Sequence, residues 1–149
     1  MRTWQALGVF CEDIREEKQG SSLMGVMPDN VAVGSIPGAF PKIGIYVRCQ
    51  VSPSTDAGEI TVKVRYSDGS ESELGGFDAD LVRKTQQAAI ETGIPWARFI
   101  VSALASPFPI QKSGIVQVLA NFAGEEVVCA ALNIKLIPNP SANASEPPA

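Results

Sequence analysis

The chain has no histidine among its 149 residues, so it lacks the side chain most often used as a general base or metal ligand near neutral pH. Ser-His-Asp and Cys-His nucleophiles, the H-E-x-x-H helix and histidine-containing zinc sites are all excluded. Carboxylates, thiols and lysines remain. Glu71 and Glu73 flank Ser72 on a predicted strand, which puts both carboxylates on one face about 7 Å apart, a separation compatible with paired-carboxylate glycosidase chemistry. Gly75-Gly76 and the hairpin setting read more simply as an ordinary solvent face. The densest ionisable cluster is Glu12, Asp13, Arg15, Glu16, Glu17 and Lys18. As a charged loop it could hold calcium if Asp29, Asn30 or Asp56 approached. The D-x-D-x-D-G ligand spacing is missing, and a solvated connection with mutual salt bridges is the simpler reading.

The other candidates are weaker. Cys11, Cys49 and Cys129 are widely separated and form no C-x-x-C pair, which suggests neither a disulfide framework nor a zinc knuckle. Each falls in a predicted strand, as a small buried thiol would. Gly75-Gly76 lacks the Walker spacing and its lysine, and residues 34–38 contain Ile36-Pro37 where a nucleotide loop would open a helix. Trp4, Tyr46, Tyr66 and Trp96 could stack on a sugar, although aromatics on strands more often pack into a core or edge. No cofactor and no metal are expected.

The elements that must position these residues follow from periodicity. Over 59–66, Ile60, Val62, Val64 and Tyr66 alternate with Thr61, Lys63 and Arg65, the period of two of a half-buried strand. Asp68-Gly69 suits a type I′ turn, which would pair 71–74 with that strand. Residues 42–51 place Ile43, Ile45, Val47, Cys49 and Val51 on one face and Tyr46, Arg48 and Gln50 on the other. A second hairpin joins 115–122 to 126–137 through Ala123-Gly124, with Val128, Ala130, Leu132, Ile134 and Leu136 expected to share the core face. Strands are also expected over 96–104, 4–11 and 22–27, with a short one over 31–33, and Ser106-Pro107-Phe108-Pro109 should be an edge or irregular crossing. The charged stretch 12–20 would connect the two N-terminal strands. A helix over about 80–92 has Asp78 or Asp80 as N-cap, Gly93 at C′ and Pro95 beyond, with Leu81, Thr85, Ala88 and Ala89 near one face.

These elements predict a mainly β chain: an antiparallel two-sheet β-sandwich of about seven or eight strands with one short helix, over residues 1–137. One core is enough for a chain of this length. Residues 138–149 carry no large apolar side chain and are expected to form a disordered tail. Net charge is -4 and the cations are scattered, which disfavours nucleic acid as a partner. No apolar stretch approaches the ~20 residues of a membrane span, and Met1-Arg2-Thr3-Trp4 opens no signal peptide. The expected location is cytoplasmic or virion-associated.

Several short motifs carry a resemblance: Phe10-Cys11-Glu12-Asp13-Ile14-Arg15, Leu23-Met24-Gly25-Val26, Phe40-Pro41-Lys42-Ile43, and Gly114-Ile115-Val116-Gln117-Val118 followed by Glu125-Glu126. Together, over most of residues 4–137, they resemble a family of uncharacterised small β proteins of bacteria and their phages. In that family an aromatic often stands where this chain has Ile115. The resemblance implies a sandwich with a charged N-terminal hairpin connection and suggests a phage or prophage setting. It carries no activity and no catalytic residue.

The function expected from these features is a non-enzymatic binding or structural module acting through protein contacts, as a virion component or in a host–phage interaction. The alternative is a small-ligand module for carbohydrate or calcium. Two surfaces are candidates. Val127, Cys129 and Ala131, on the face of the last strand opposite its predicted core residues, would meet a protein partner or a second copy if that strand lay at an edge or its outer face were exposed. The loop of Glu12, Asp13 and Arg15 is the other.

Overall fold

The computed structural model describes residues 3–137; the tail expected over 138–149 lies outside them. The chain is mainly β with one helix. Its elements run β1 (Trp4–Glu17), β2 (Gly20–Val26), β3 (Asn30–Val33), β4 (Gly38–Phe40), β5 (Ile43–Val51), β6 (Ile60–Arg65), β7 (Glu71–Phe77), α1 (Ala79–Thr92), β8 (Ala97–Ala105), β9 (Phe108–Ile110), β10 (Gly114–Phe122) and β11 (Glu125–Leu136). These eleven strands form three sheets, ordered β2-β1-β5-β8, β3-β11-β10-β6-β7 and β4-β9. The architecture is therefore not a simple two-sheet sandwich of seven or eight strands. The extra strands are short pieces, such as β4 and β9, whose three residues are too few to show a period.

The two larger sheets share one hydrophobic cluster. Ile45, Val47, Cys49, Val51 and Phe99 come from the four-stranded sheet, and Val62, Val64, Val116, Val118, Leu132 and Ile134 from the five-stranded one. Aromatic pairs join them: Trp4 lies 5.6 Å from Phe122 and Phe77 lies 5.2 Å from Phe99, ring centre to ring centre. Phe108 and Ile110, on β9, are buried in the same cluster. The alternation on β5 is as expected, with Ile43, Ile45, Val47, Cys49 and Val51 buried and Tyr46, Arg48 and Gln50 half-exposed.

The N-terminal hairpin corrects the expectation of a charged loop. β1 continues to Glu17 and β2 begins at Gly20, so only Lys18 and Gln19 turn the chain. Glu12, Asp13 and Arg15 sit within a strand, with Asp13 opposite Met24 and Arg15 opposite Ser22. Charged side chains do not oppose a ladder when they point to water, and Ile14 between them is buried at 8% exposure. A Cβ on Gly44 would come within 2.9 Å of both the Cys11 Sγ and Ile14 Cγ1.

The β6–β7 and β10–β11 hairpins turn in opposite ways to a simple reading. At 67–69 only Gly69 has positive φ, Gly69 N–H donates to the Tyr66 carbonyl, and Tyr66 N–H donates to the Ser70 carbonyl. This is a three-residue loop with the left-handed residue last, not a type I′ turn. The type I′ pattern falls instead at Ala123-Gly124, where φ is 51° and 86° and Phe122 pairs with Glu125.

The last strand has a ladder partner on both sides only at its end. β10 flanks it on one side, and β3 pairs with its end in parallel, Asn30 opposite Asn133 through Val33 opposite Leu136. The register with β10 slips between Val118 and Leu119 and leaves Cys129 as the extra residue of a bulge. A one-residue slip exchanges the faces of a strand. Val128 is thus 52% exposed instead of buried, whereas Val127 and Cys129 pack on the core, and beyond the bulge Leu132 and Ile134 are buried as expected.

The helix is capped as predicted. Asp78 accepts from Leu81 N–H at 2.8 Å, and Gly93 adopts φ 75° while Ile94 N–H reaches the Ala89 carbonyl. Its buried face is offset by one position from the expected one: Val82, Gln86 and Ala89 face inward and Leu81 is 45% exposed. Gln86 accounts for the offset. Its Nε2 donates to the Ser52 and Thr55 carbonyls, both at 2.9 Å, so a polar side chain ties the helix to the turn after β5. No helix among the described residues is long and apolar enough to cross a membrane.

Candidate interaction groove

A groove of about 670 Å³ opens where β2 ends, β3 begins and β4 runs into β5. Its walls are mainly apolar, with Val26, Met27, Pro28, Val31, Phe40 and Pro41, and Glu12 and Lys42 stand at it as the charged groups. The size is that of an ordinary binding cleft. Val26 is 62% exposed, while Met27, Val31 and Phe40 pack against the core beneath. The floor is therefore part of the fold and Val26 is a free apolar wall.

Two sheet ends meet here. β2 is the terminal strand of the four-stranded sheet and β3 the terminal strand of the five-stranded sheet. Terminal strands leave backbone donors and acceptors without ladder partners. Of the expected charged trio, Glu12 lines the groove and presses against Gly25, whose φ of 66° few other residues adopt; a Cβ there would lie 2.7 Å from the Glu12 Oε2. Asp13 is engaged elsewhere. Lys42 Nζ lies 2.9 Å from its Oδ1, and that hydrogen bond holds the Asp13 carboxyl below the ordinary range. Arg15 points Nε toward the same carboxylate at 3.9 Å. Sequence reasoning named Glu12 but not Val26, Val31 or Phe40, whose proximity arises from pairing between distant strands.

The expected surface on β11 is divided by the bulge. Val127 and Cys129 are half-buried against the core and Ala131 is exposed. Ahead of β3 this flank has no ladder partner among the described residues and stands beside β1: Trp4 Nε1 donates to the Glu125 Oε2 at 3.2 Å, and a Cβ on Gly8 would lie 3.0 Å from the Ala130 Cβ. The three residues therefore form no common outward face.

Of the two carboxylates considered for paired chemistry, Glu71 is held in an ion-pair network. Glu71 accepts from Arg65 Nε at 2.8 Å and Lys63 Nζ at 3.2 Å, and these bonds hold its carboxyl below its usual value. A general acid of a glycosidase needs the opposite shift. Glu126 completes the network, 3.4 Å from Lys63 Nζ. Burial pushes the Cys49 thiol up to about 11 and the Cys129 thiol up to about 12, and Cys11 is raised by the same cause. Among the described residues no three His, Cys, Asp or Glu side chains come close enough to hold a metal ion. Trp4 is buried and Tyr66 stacks at 5.3 Å on Phe108, so neither is free for a sugar platform.

No family model matches the chain, and no curated protein matches it. Among solved structures it is similar to the alkylpurine DNA glycosylase AlkC of Pseudomonas fluorescens bound to DNA containing an abasic site analog. The TM-score is 0.44 and the identity 11%, over 89% of this chain and 30% of that one. This chain spans less than a third of that protein's length, and a likeness at this level carries no functional argument.

Proposed function

We propose that the protein is a non-enzymatic binding or structural module that acts through protein–protein contacts, with the groove between β2 and β3 as its contact site. The framework for this reading is a two-sheet β-sandwich to which the β4–β9 pair is added. The observation that carries it is the coincidence of an apolar, Val26-walled cleft with the terminal strands of both larger sheets, because apolar surface and open strand edges are the two features that recruit polypeptide. The resemblance to small β proteins of bacteria and their phages supports a virion or host–phage setting.

The test is selection of a random twelve-residue peptide display library on the full chain, with recovered peptides measured by fluorescence anisotropy against wild type and Val26→Asp. Val26 is exposed, so this substitution leaves the fold intact. Peptides that bind wild type and fail on the variant support the groove. Recovery of no peptide sensitive to Val26→Asp would defeat the reading.

A further inference from the structure

We infer that the groove takes its partner as an added β-strand: an extended segment of another protein that hydrogen-bonds the open side of β3 and sets a lysine or arginine against Glu12. This rests on the proposed function and specifies its mode and chemistry.

The backbone hydrogen bonds fix which groups are free. Asn133 N–H donates to the Asp29 carbonyl at 2.8 Å and Ile137 N–H to the Val33 carbonyl at 2.9 Å. With Asn30 opposite Asn133 and Ala32 opposite Lys135 in a parallel ladder, residues 29, 31 and 33 turn their backbone groups toward β11. Asn30 and Ala32 turn theirs away. Both line the groove. Two residues apart, they present the donor–acceptor repeat that an incoming strand reads. On the facing wall Met27 N–H donates to the Phe10 carbonyl at 2.8 Å, while Val26 stands opposite Cys11. That is the non-hydrogen-bonded position of an antiparallel pair, so the Val26 N–H and carbonyl also point away from β1.

Charge selects the segment. Lys42, the groove's cation, is held by Asp13. Glu12, and Asp29 beside the groove, form no ion pair among the described residues. The charge left unneutralised is negative, which favours a cationic residue on the incoming strand and opposes nucleic acid or an anionic membrane. Val26, Val31 and Phe40 offer apolar contact to alternate side chains of such a strand.

The experiment uses peptides from the random twelve-residue library, selected on the full chain. Those that depend on Val26 are expected to carry a lysine or arginine within an extended, proline-free stretch. Ala32→Pro removes one outward N–H on a terminal strand, where proline is tolerated, and is expected to weaken them by about tenfold or more. Methylating alternate peptide nitrogens should abolish binding in one of the two phases, and Glu12→Gln should weaken it and remove most of its salt dependence. Because Ala32→Pro could unfold locally, hydrogen exchange on wild type gives a second reading: bound peptide should slow the Asn30 and Ala32 amides. Val26-dependent peptides indifferent to Ala32→Pro, to either methylation phase and to Glu12→Gln, with no slowing at Asn30 and Ala32, would overturn strand addition while leaving the groove as a contact site. Loss of Val26 dependence itself would overturn both.

Discussion

The thiols of Cys11, Cys49 and Cys129, the first two buried and the third half-buried, make stability fall on the alkaline side, and the size of the fall can be worked out. A thiol that ionises at 9.0 in an exposed chain ionises near 11 at Cys49 and near 12 at Cys129, because burial penalises the thiolate. The folded protein therefore binds these protons more tightly than the unfolded chain. Their contribution is fully present below pH 9 and is lost as pH rises toward the folded values. At pH 10 the unfolded thiols are about nine-tenths ionised and the folded ones mostly protonated, so each site has lost somewhat over ~1 kcal/mol. Both together lower stability by roughly 2–3 kcal/mol between pH 8 and pH 10, a large fraction of a typical domain's margin. Cys11 acts in the same direction, and so does Lys63, whose pKa is raised chiefly by its hydrogen bond to Glu71. The assay is urea unfolding under reducing conditions at pH 8, 9 and 10, on wild type and on Cys49→Ala with Cys129→Ala. The double variant starts less stable because one buried and one half-buried side chain are truncated. Its alkaline loss should nevertheless be smaller than the wild-type loss by about 2–3 kcal/mol, since Lys63 and Cys11 are common to both proteins. Equal losses in the two proteins would refute the assignment of the alkaline slope to these thiols.

Two further substitutions probe the joints of the fold. Gln86→Leu should lower stability by about 1–3 kcal/mol in urea unfolding, because the Ser52 and Thr55 carbonyls lose the amide that both accept from; a variant as stable as wild type would mean the contact is not formed. Ala123→Asn should raise stability by about 0.5–1 kcal/mol in the same assay, since an L-residue other than asparagine or aspartate is strained at positive φ in a type I′ turn.

Local signals were legible wherever a residue's role is decided by near neighbours. The alternation of Ile43 through Val51 and of Ile60 through Val64 requires no knowledge of the partner strand, and both emerge with the expected faces. The same holds for the caps of α1, where Asp78 and Gly93 satisfy backbone groups within a few residues. Its buried face was less legible, because glutamine at position 86 reads as a solvent residue until two carbonyls from the turn after β5 are brought beside it. The charged run after Cys11 failed for a related reason: polarity distinguishes water from core, and a strand with both faces or one edge in water is as polar as a loop.

The groove was illegible for a deeper reason. Whether Asn30 and Ala32 offer free backbone groups depends on parity within a parallel pairing to residues 103 positions away, and whether Val26 does depends on its antiparallel pairing to Cys11. Nothing in the composition of Asn30–Val33 indicates which alternate residues face β11. The bulge at Cys129 makes the same point in reverse. Val127 and Val128 keep the alternation, but the additional residue relative to β10, Cys129, exchanges inside and outside, so that Val127 and Cys129, expected on the outward face, become half-buried core while Ala131 stays exposed. Strand parity, a single binary choice per pairing, thus removes one candidate surface and creates the other. For this reason Ala32→Pro is the more informative substitution: it removes an outward N–H of β3, whereas the bonds to β11 are made by residues 29, 31 and 33.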